Sequence, residues 1–315
     1  VCNSGIVSEL HPSFNNGKIL YSVLDGNAAY CMNFGLRADG GQLMNSYDNP
    51  STEMSSEQQK LLSYCLYYGY GTNEAAAPTN DQSDEYIATQ SMVWIIMADI
   101  FGTDDADSAA KKLCNTAPNP ESSYEYYERL RDNIYNSYNA ILPSFASKRP
   151  SGADTYELKW NEANQRFEKT LSDNNGVLSD FDFSIDGYSV DKNGNSITIS
   201  SKSVNTTATT GTFTSNSGKV DTTSSCVFWL TGKNGYQEFI SEKPTADPVR
   251  AYIKVKTENI GYGELTKTDE SSGVKLSGAV YGIYSDSSCN NLVQTMTTDG
   301  NGYAKSAALV AGTYY

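Results

Sequence analysis

Tyr86-Ile-Ala-Thr-Gln-Ser-Met-Val-Trp-Ile95 is the stretch on which the fold turns. Ile87, Ser91, Trp94, Ile95 and Ala98 recur at three- and four-residue spacing, a mostly apolar face that predicts a helix from Ser83 or Asp84 to about Phe101, stopped by Gly102. Working back, Ser55–Tyr68 carries Leu61, Leu62, Cys65, Leu66 and Tyr68 at the same spacing and stops at Gly69 and Gly71, a second helix. Further back, Ile19-Leu-Tyr-Ser-Val-Leu24 and Ala28-Ala-Tyr-Cys-Met32 read as strands separated by a turn at Asp25-Gly26. Working forward, Asp107–Asn115 and Tyr124–Ile141 complete a helical group closed by Pro143 and Pro150.

Beyond residue 150 the pattern changes to short alternating segments rich in Thr, Ser, Asn and Gly. Glu157–Trp160, Phe181–Ile185, Ser196–Ser200 and Cys226–Leu230 read as strands, bounded by turns such as Asn174-Asn-Gly176, Asn193-Gly194 and Asn234-Gly235. So many short strands are most simply buried in a sandwich. Asp191-Lys-Asn-Gly-Asn195 has a superficial likeness to a calcium loop but lacks the full ligand spacing, and a hairpin turn accounts for it. A further β pattern opens near Gly261. The expected organisation is therefore α+β: residues 1–150 with a β-barrel or sheet and a helical subdomain, then all-β, sandwich-like units at 151–260 and 261–315.

Composition narrows the function. With 37 acidic against 23 basic residues and a net charge of -14, the chain lacks the clustered cations that phosphate contacts need, so no nucleic-acid partner is expected. The longest apolar run, around Met92–Ala98, is far too short to span a bilayer, and Val1–Leu10 lacks the basic start and apolar core of a signal peptide. The chain stops at Gly312-Thr-Tyr-Tyr315 in what reads as mid-strand, so it is expected to be part of something longer. Six cysteines (positions 2, 31, 65, 114, 226 and 289) form no close pair, and the single His11 has no ligating neighbours. Neither zinc, nor any other metal or cofactor, nor a disulfide scaffold is expected.

Cys31 alone reads as an ordinary core thiol and Gln90 as an ordinary helical residue. Their surroundings change that. Tyr30-Cys31-Met32-Asn33 follows a strand; Leu61-Leu-Ser-Tyr-Cys-Leu-Tyr-Tyr-Gly-Tyr-Gly71 follows it, then Thr89-Gln90-Ser91-Met92-Val93-Trp94. This order, over roughly residues 15–115, resembles the bacterial thioester (TQXA) domain family of Gram-positive surface adhesins, with Met92 in place of the usual Ala. The resemblance implies a Cys31–Gln90 thioester that a host amine, such as a lysine side chain, opens to form a permanent amide. It implies a single-use, self-modifying adhesin rather than an enzyme. The partner is expected to be a host surface or extracellular-matrix protein; the adhesin is expected to be a secreted, wall-anchored monomer that does not insert in a membrane. Tyr30 and Trp94 are candidate shields of the site from water as well as ordinary core residues. Thr89 is a candidate hydrogen-bonding neighbour of the site, although helical threonines usually bond their own backbone. His11 offers proton transfer in principle, but before Pro12 it reads as a loop residue. Loops Phe34–Asn45 and Asn73–Asp81 are candidate frames for the opening. Cys65, Cys114 and Cys226 read as buried and inert, while Cys2 and Cys289 stay open between free and paired.

Gly263-Glu-Leu-Thr-Lys-Thr-Asp269, Leu276–Tyr284, Asp299–Ala304 and Leu309–Tyr315 resemble the collagen-adhesin B-type stalk domain. In that family the first-strand lysine, here Lys267, joins a last-strand Asn or Asp with help from a Glu; both partners would lie beyond Tyr315. Lys267 in this chain is thus expected to be an ordinary strand lysine beside an exposed sheet edge. A cross-link in the middle unit, from Lys159 to a late-strand Asn, is a further candidate. Three classes remain: a covalent thioester adhesin, a non-covalent adhesin or pilus-like stalk, and a cysteine-dependent hydrolase or transglutaminase, which would need a His beside its nucleophile.

Overall fold

The computed structural model describes residues 22–24, 27–34, 36, 44–47, 54–70, 82–223, 226–230, 236–241 and 244–315. The chain divides into two compact units, residues 1–140 with 218–249, and residues 141–217 with 250–315. This differs from the expected consecutive order. Cys226–Leu230, read from the sequence as part of a 151–260 unit, returns to the first unit. The reason is strand pairing: Val227–Leu230 and Phe239–Ser241 lie between Asn27–Cys31 and Asn45–Tyr47 in a five-stranded sheet. Its order is Ser22–Leu24, Asn27–Cys31, Phe239–Ser241, Val227–Leu230, Asn45–Tyr47, and every pair is antiparallel. No local pattern in the sequence announces such a partner.

Four helices accompany this sheet among the described residues: α1 (Ser56–Tyr68), α2 (Gln82–Met97), α3 (Asp104–Cys114) and α4 (Pro120–Tyr138). A reciprocal capping box starts α1: the Ser55 hydroxyl accepts the Gln58 N–H at 3.1 Å and Gln58 Oε1 accepts the Ser55 N–H at 3.0 Å. The second helix is more central than its amphipathic pattern predicts, since every side chain from Asp84 to Ile96 is buried. It also ends earlier than expected. Asp99 takes a left-handed φ of 61°, and Asp99 N–H and Ile100 N–H return to Ile96 O and Ile95 O, a Schellman closure that stops the helix before Phe101. Acidic residues at the start of α3 and Lys111 and Lys112 at its end suit the helix dipole, and Pro120 opens α4 at a position where no N–H is needed.

In the second unit, seven strands hydrogen-bond in the order Phe181–Ser184, Thr209–Ser215, Arg250–Thr257, Thr155–Asn161, Arg166–Ser172, Ser196–Ser201, Ser189–Asn193. Arg250–Thr257 runs parallel to Thr155–Asn161, and the other pairs are antiparallel. Alternation along Arg250–Thr257 buries Ala251, Ile253 and Val255 together with Leu158, Phe167, Ile197, Ile199 and Phe213. The Asp191–Asn195 stretch is the predicted hairpin: Asn193 pairs with Ser196, and Gly194 supplies a φ of 56°. Lys159 meets the carboxylates of Glu157 at 2.6 Å and Glu258 at 3.2 Å, an ion-paired setting rather than one facing an asparagine.

From Ile260 onward, Ile260–Gly261 pairs with Leu309–Val310, Glu264–Thr266 with Tyr303–Lys305, and Val280–Tyr284 with Leu292–Thr297. Ile283, Met296, Ala304 and Leu309 form their small core. Lys267 is exposed, while its backbone N–H donates to Gly302 O at 2.7 Å. Tyr315 exchanges both backbone hydrogen bonds with Tyr284, at 2.8 and 2.9 Å, so the final residue is paired with a strand.

The start of the second unit hangs on Asp173. Its buried carboxylate accepts the N–H groups of Ser144 (2.8 Å), Asn175 (3.0 Å) and Val177 (2.7 Å). Burial opposes ionisation, but these donors prevail and hold the carboxyl below its ordinary value. Such a group contributes stability in full above the unfolded value of about 3.9 and loses it as pH falls through the lower folded value. Asp173→Ala is expected to cost about 2–3 kcal/mol at neutral pH. In urea unfolding the gap from the parent chain should narrow on acidification below that range. A gap that stays constant with pH contradicts the assignment.

Candidate functional site

Cys31 closes the strand Asn27–Cys31, and Gln90 lies mid-way along α2; only 9% of one and 1% of the other is exposed. The two are joined by a matched pair of hydrogen bonds. The Cys31 N–H donates to Gln90 Oε1 at 2.8 Å, and Gln90 Nε2 donates to Cys31 O at 2.8 Å. The carboxamide thus takes the place a neighbouring strand's peptide would occupy. It fills one edge of Cys31, while the Met32 N–H donates to Glu238 O at 2.9 Å on the returning strand, and Phe239 stands opposite Cys31. Burial pushes the Cys31 thiol up to about 12, against a smaller lowering by its own backbone hydrogen bond.

The helix is held to this strand from several sides. The Thr89 hydroxyl donates to Glu85 O at 2.9 Å and accepts the Tyr70 N–H at 2.9 Å. That second bond ties the Tyr67-Tyr-Gly-Tyr70 turn to the residue beside Gln90. Gly69 permits the approach, because a Cβ there would lie 2.5 Å from Thr89 Cγ2 and 2.6 Å from Cys65 O. At the start of α2, the Asp84 carboxylate accepts the Asn119 N–H at 3.0 Å and Asp84 O accepts the Ser123 hydroxyl at 3.0 Å.

Tyr30 and Trp94 are both buried in the first unit's core. Tyr30 stacks on Tyr86 with ring centres 5.0 Å apart, and Trp94 meets Phe34 edge-on at 5.0 Å. Tyr86, absent from the candidates drawn from sequence, also donates its hydroxyl to Ala29 O at 2.6 Å. It lies one helical turn before Gln90, and that spacing on the same face was the available signal. Asn33 was missed as well: its Oδ1 accepts the Glu238 N–H at 2.8 Å across 205 residues of sequence, a contact no local pattern reveals.

The other candidates stand apart from this pair. His11, Cys2 and loop Asn73–Asp81 lie outside the described residues, as does most of Phe34–Asn45. Cys65 and Cys114 are buried free thiols, Cys226 is buried, and Cys289 is free and exposed. Lys267 belongs to the second unit. Among the described residues no group of three or more His, Cys, Asp or Glu is placed to hold a metal, and no helix is long and apolar enough to cross a membrane.

The close packing at Gly69 is directly testable. Gly69→Ala is expected to lower stability by about 2–3 kcal/mol, because neither Thr89 nor the Cys65 carbonyl can retreat without breaking a helix contact. Thermal unfolding unchanged from the parent would show that α1 and α2 do not meet this tightly.

Comparison with known proteins accords with this arrangement. The thioester-domain family matches residues 28–140, and the SpaA prealbumin-like fold family matches residues 261–315. No curated protein matches the chain. Among solved structures, the thioester domain of the Staphylococcus aureus TIE protein is 16% identical, covers 75% of this chain and 84% of its own, and gives a TM-score of 0.43. The Bacillus anthracis TIE protein is 18% identical over 92% of this chain and 53% of its own, with a TM-score of 0.37. The T6 backbone pilin of serotype M6 Streptococcus pyogenes is 20% identical over 41% of this chain and 29% of its own, with a TM-score of 0.22. The family matches, not these superpositions, carry the assignment; the narrower B-type stalk pattern rests on the sequence motifs alone. The chain is thus similar over residues 28–140 to the thioester-domain family and over residues 261–315 to the SpaA prealbumin-like domain family, each match spanning less than half of its length.

Proposed function

We propose that this protein is a surface adhesin that attaches to a host amine, most simply a lysine side chain, through a thioester between Cys31 and Gln90. The observation that supports this reading is the paired hydrogen bonding of the Gln90 carboxamide to the backbone of Cys31. An attack otherwise too slow to matter becomes effectively unimolecular when the fold holds the two groups together. The Cys31 Sγ adds to Gln90 Cδ, negative charge gathers on Oε1, and the Cys31 N–H already faces that oxygen to stabilise it. The Cδ–Nε2 bond then breaks, the thiol proton ends on nitrogen, and ammonia leaves. When a host amine attacks Cδ, a new C–N bond forms, the C–S bond breaks, and a proton from the amine restores the Cys31 thiol. The acyl group is consumed, so each molecule reacts once and does not turn over.

The thiol's electrostatics favour this reading over a cysteine hydrolase. Turnover enzymes lower their cysteine's pKa, whereas burial here raises it to about 12. A thiol kept neutral and away from solvent has little reactivity of its own, and it is the carboxamide lodged against its backbone that makes an attack on Gln90 feasible. Burial of Tyr30 and Trp94 in the same core suits a thioester that must outlast exposure to water. The location proposed is the outer surface of a Gram-positive cell, with the second unit acting as part of a stalk and the chain acting as a monomer.

Two experiments test this. The intact mass of the parent chain is expected to fall one ammonia short of its sequence mass and to rise by one methylamine after incubation with that amine, while Cys31→Ala keeps its full mass. A full parent mass with no methylamine uptake removes the proposal. In Gln90→Ala the unreacted Cys31 thiol is expected to alkylate at pH 8 about a thousandfold more slowly than a free cysteine of pKa near 8.5. Rapid labelling of Cys31 would indicate an activated thiolate and revive the hydrolase reading.

A further inference from the structure

The residues that fix Cys31 are not confined to the stretch matched by the thioester-domain family. Glu238 is held at both its backbone groups: its C=O accepts the Met32 N–H at 2.9 Å, and its N–H donates to Asn33 Oδ1 at 2.8 Å. Immediately afterwards Phe239, Ile240 and Ser241 pair in register with Cys31, Tyr30 and Ala29. Successive peptide N–H groups of a strand point to opposite edges. With the Met32 N–H turned toward Glu238, the Cys31 N–H is turned toward α2, where it meets Gln90 Oε1. Strand Asn27–Cys31 ends at this point, and just past it the backbone is tied to the returning segment through the Met32 N–H and Glu238 O. Asn33, just beyond, is the side chain that closes the register.

We propose that Asn33 is a positioning residue for thioester formation, acting through Glu238 to hold the Cys31 peptide edge square to the Gln90 carboxamide. This rests on the thioester reading above. Without the Asn33 acceptor, the chain after Cys31 loses one of its ties to the returning segment, and the Met32 N–H to Glu238 O bond is left to hold the register with less support. A misplacement of about 1 Å at a reacting pair can cost on the order of a hundredfold in rate. The acceptor oxygen is what the role requires, since Glu238 presents an N–H. Asp at position 33 offers that oxygen too, and Ala does not. The consequence is that the reactive centre is a composite. Cys31 and Gln90 lie within the matched residues 28–140, but the clamp that aligns them is completed by a segment that arrives after residue 217.

The test compares Asn33→Ala, Asn33→Asp and Glu238→Pro in the full chain. Glu238→Pro deletes the donor but leaves the Glu238 carbonyl for Met32. Each variant is purified as folded monomer, and its cyclised fraction is read by intact mass alongside its melting temperature. Asn33→Ala and Glu238→Pro are expected to lower the cyclised fraction at least fivefold at a fixed time after synthesis, and Asn33→Asp to retain the parent value. A parent-like fraction in either Asn33→Ala or Glu238→Pro overturns the proposal. So does an equal fall in Asn33→Ala and Asn33→Asp that tracks their melting temperatures, because that would be a packing effect alone. If the parent chain itself shows no ammonia loss, the thioester reading fails, and that outcome is visible before any variant is compared.

Discussion

Everything distinctive in the first unit follows from one arrangement: a glutamine side chain hydrogen-bonded to both backbone groups of a cysteine at the end of a strand. To present Gln90 there, α2 must run through the middle of the core, which is why it is buried on every side from Asp84 to Ile96. A helix so placed has no solvent-facing side to set its rotation, and its polar groups look for partners within the protein, although Asp84 Oδ2 is buried without a hydrogen bond. Thr89 bonds Tyr70, Asp84 bonds Asn119, and Tyr86 bonds Ala29. These polar ties fix the rotation of the helix, and hence the aim of Gln90, more sharply than apolar packing could. The same buried setting pushes the Cys31 thiol up to about 12.

The positions of Cys31 and Gln90 were more legible than the architecture around them. Tyr30-Cys31 at a strand end and Thr89-Gln90 within an apolar helix could be placed from local pattern and motif order, and the structure brings those two positions into contact. Helices α1 to α4 were visible in the spacing of Leu61, Leu62, Cys65 and Leu66 and its counterparts, with errors of a few residues at their ends. Those errors have local causes. Asp99 turned left-handed and stopped α2 early, and Pro120 began α4 before its apolar rhythm set in. The hairpin at Asn193-Gly194 was legible because a two-residue turn constrains only its immediate neighbours.

What could not be read was the return of residues 218–249. Cys226-Val-Phe-Trp-Leu230 has an unmistakable strand composition, but composition says nothing about which sheet receives the strand. Its partners, Asn45–Tyr47 on one side and Phe239–Ser241 on the other, are set by tertiary pairing. The consequence reaches the site itself, since Phe239 stands opposite Cys31 and Glu238 is held by Met32 and Asn33. Lys60 of α1 reinforces the return, with its ammonium 2.7 Å from Asp221 and 2.6 Å from Thr222 O. The first unit is thus discontinuous in sequence, and its Cys31–Gln90 pair is framed by residues from both of its parts.

The most direct test of the account is an experimental electron-density map of the chain as purified, at a resolution that separates side-chain atoms around Cys31 and Gln90. The account predicts continuous density between Cys31 Sγ and Gln90 Cδ, no density for Nε2, and Oε1 still facing the Cys31 N–H. An intact carboxamide bonded to the Cys31 backbone through both its oxygen and its nitrogen, beside a separate thiol, would contradict it.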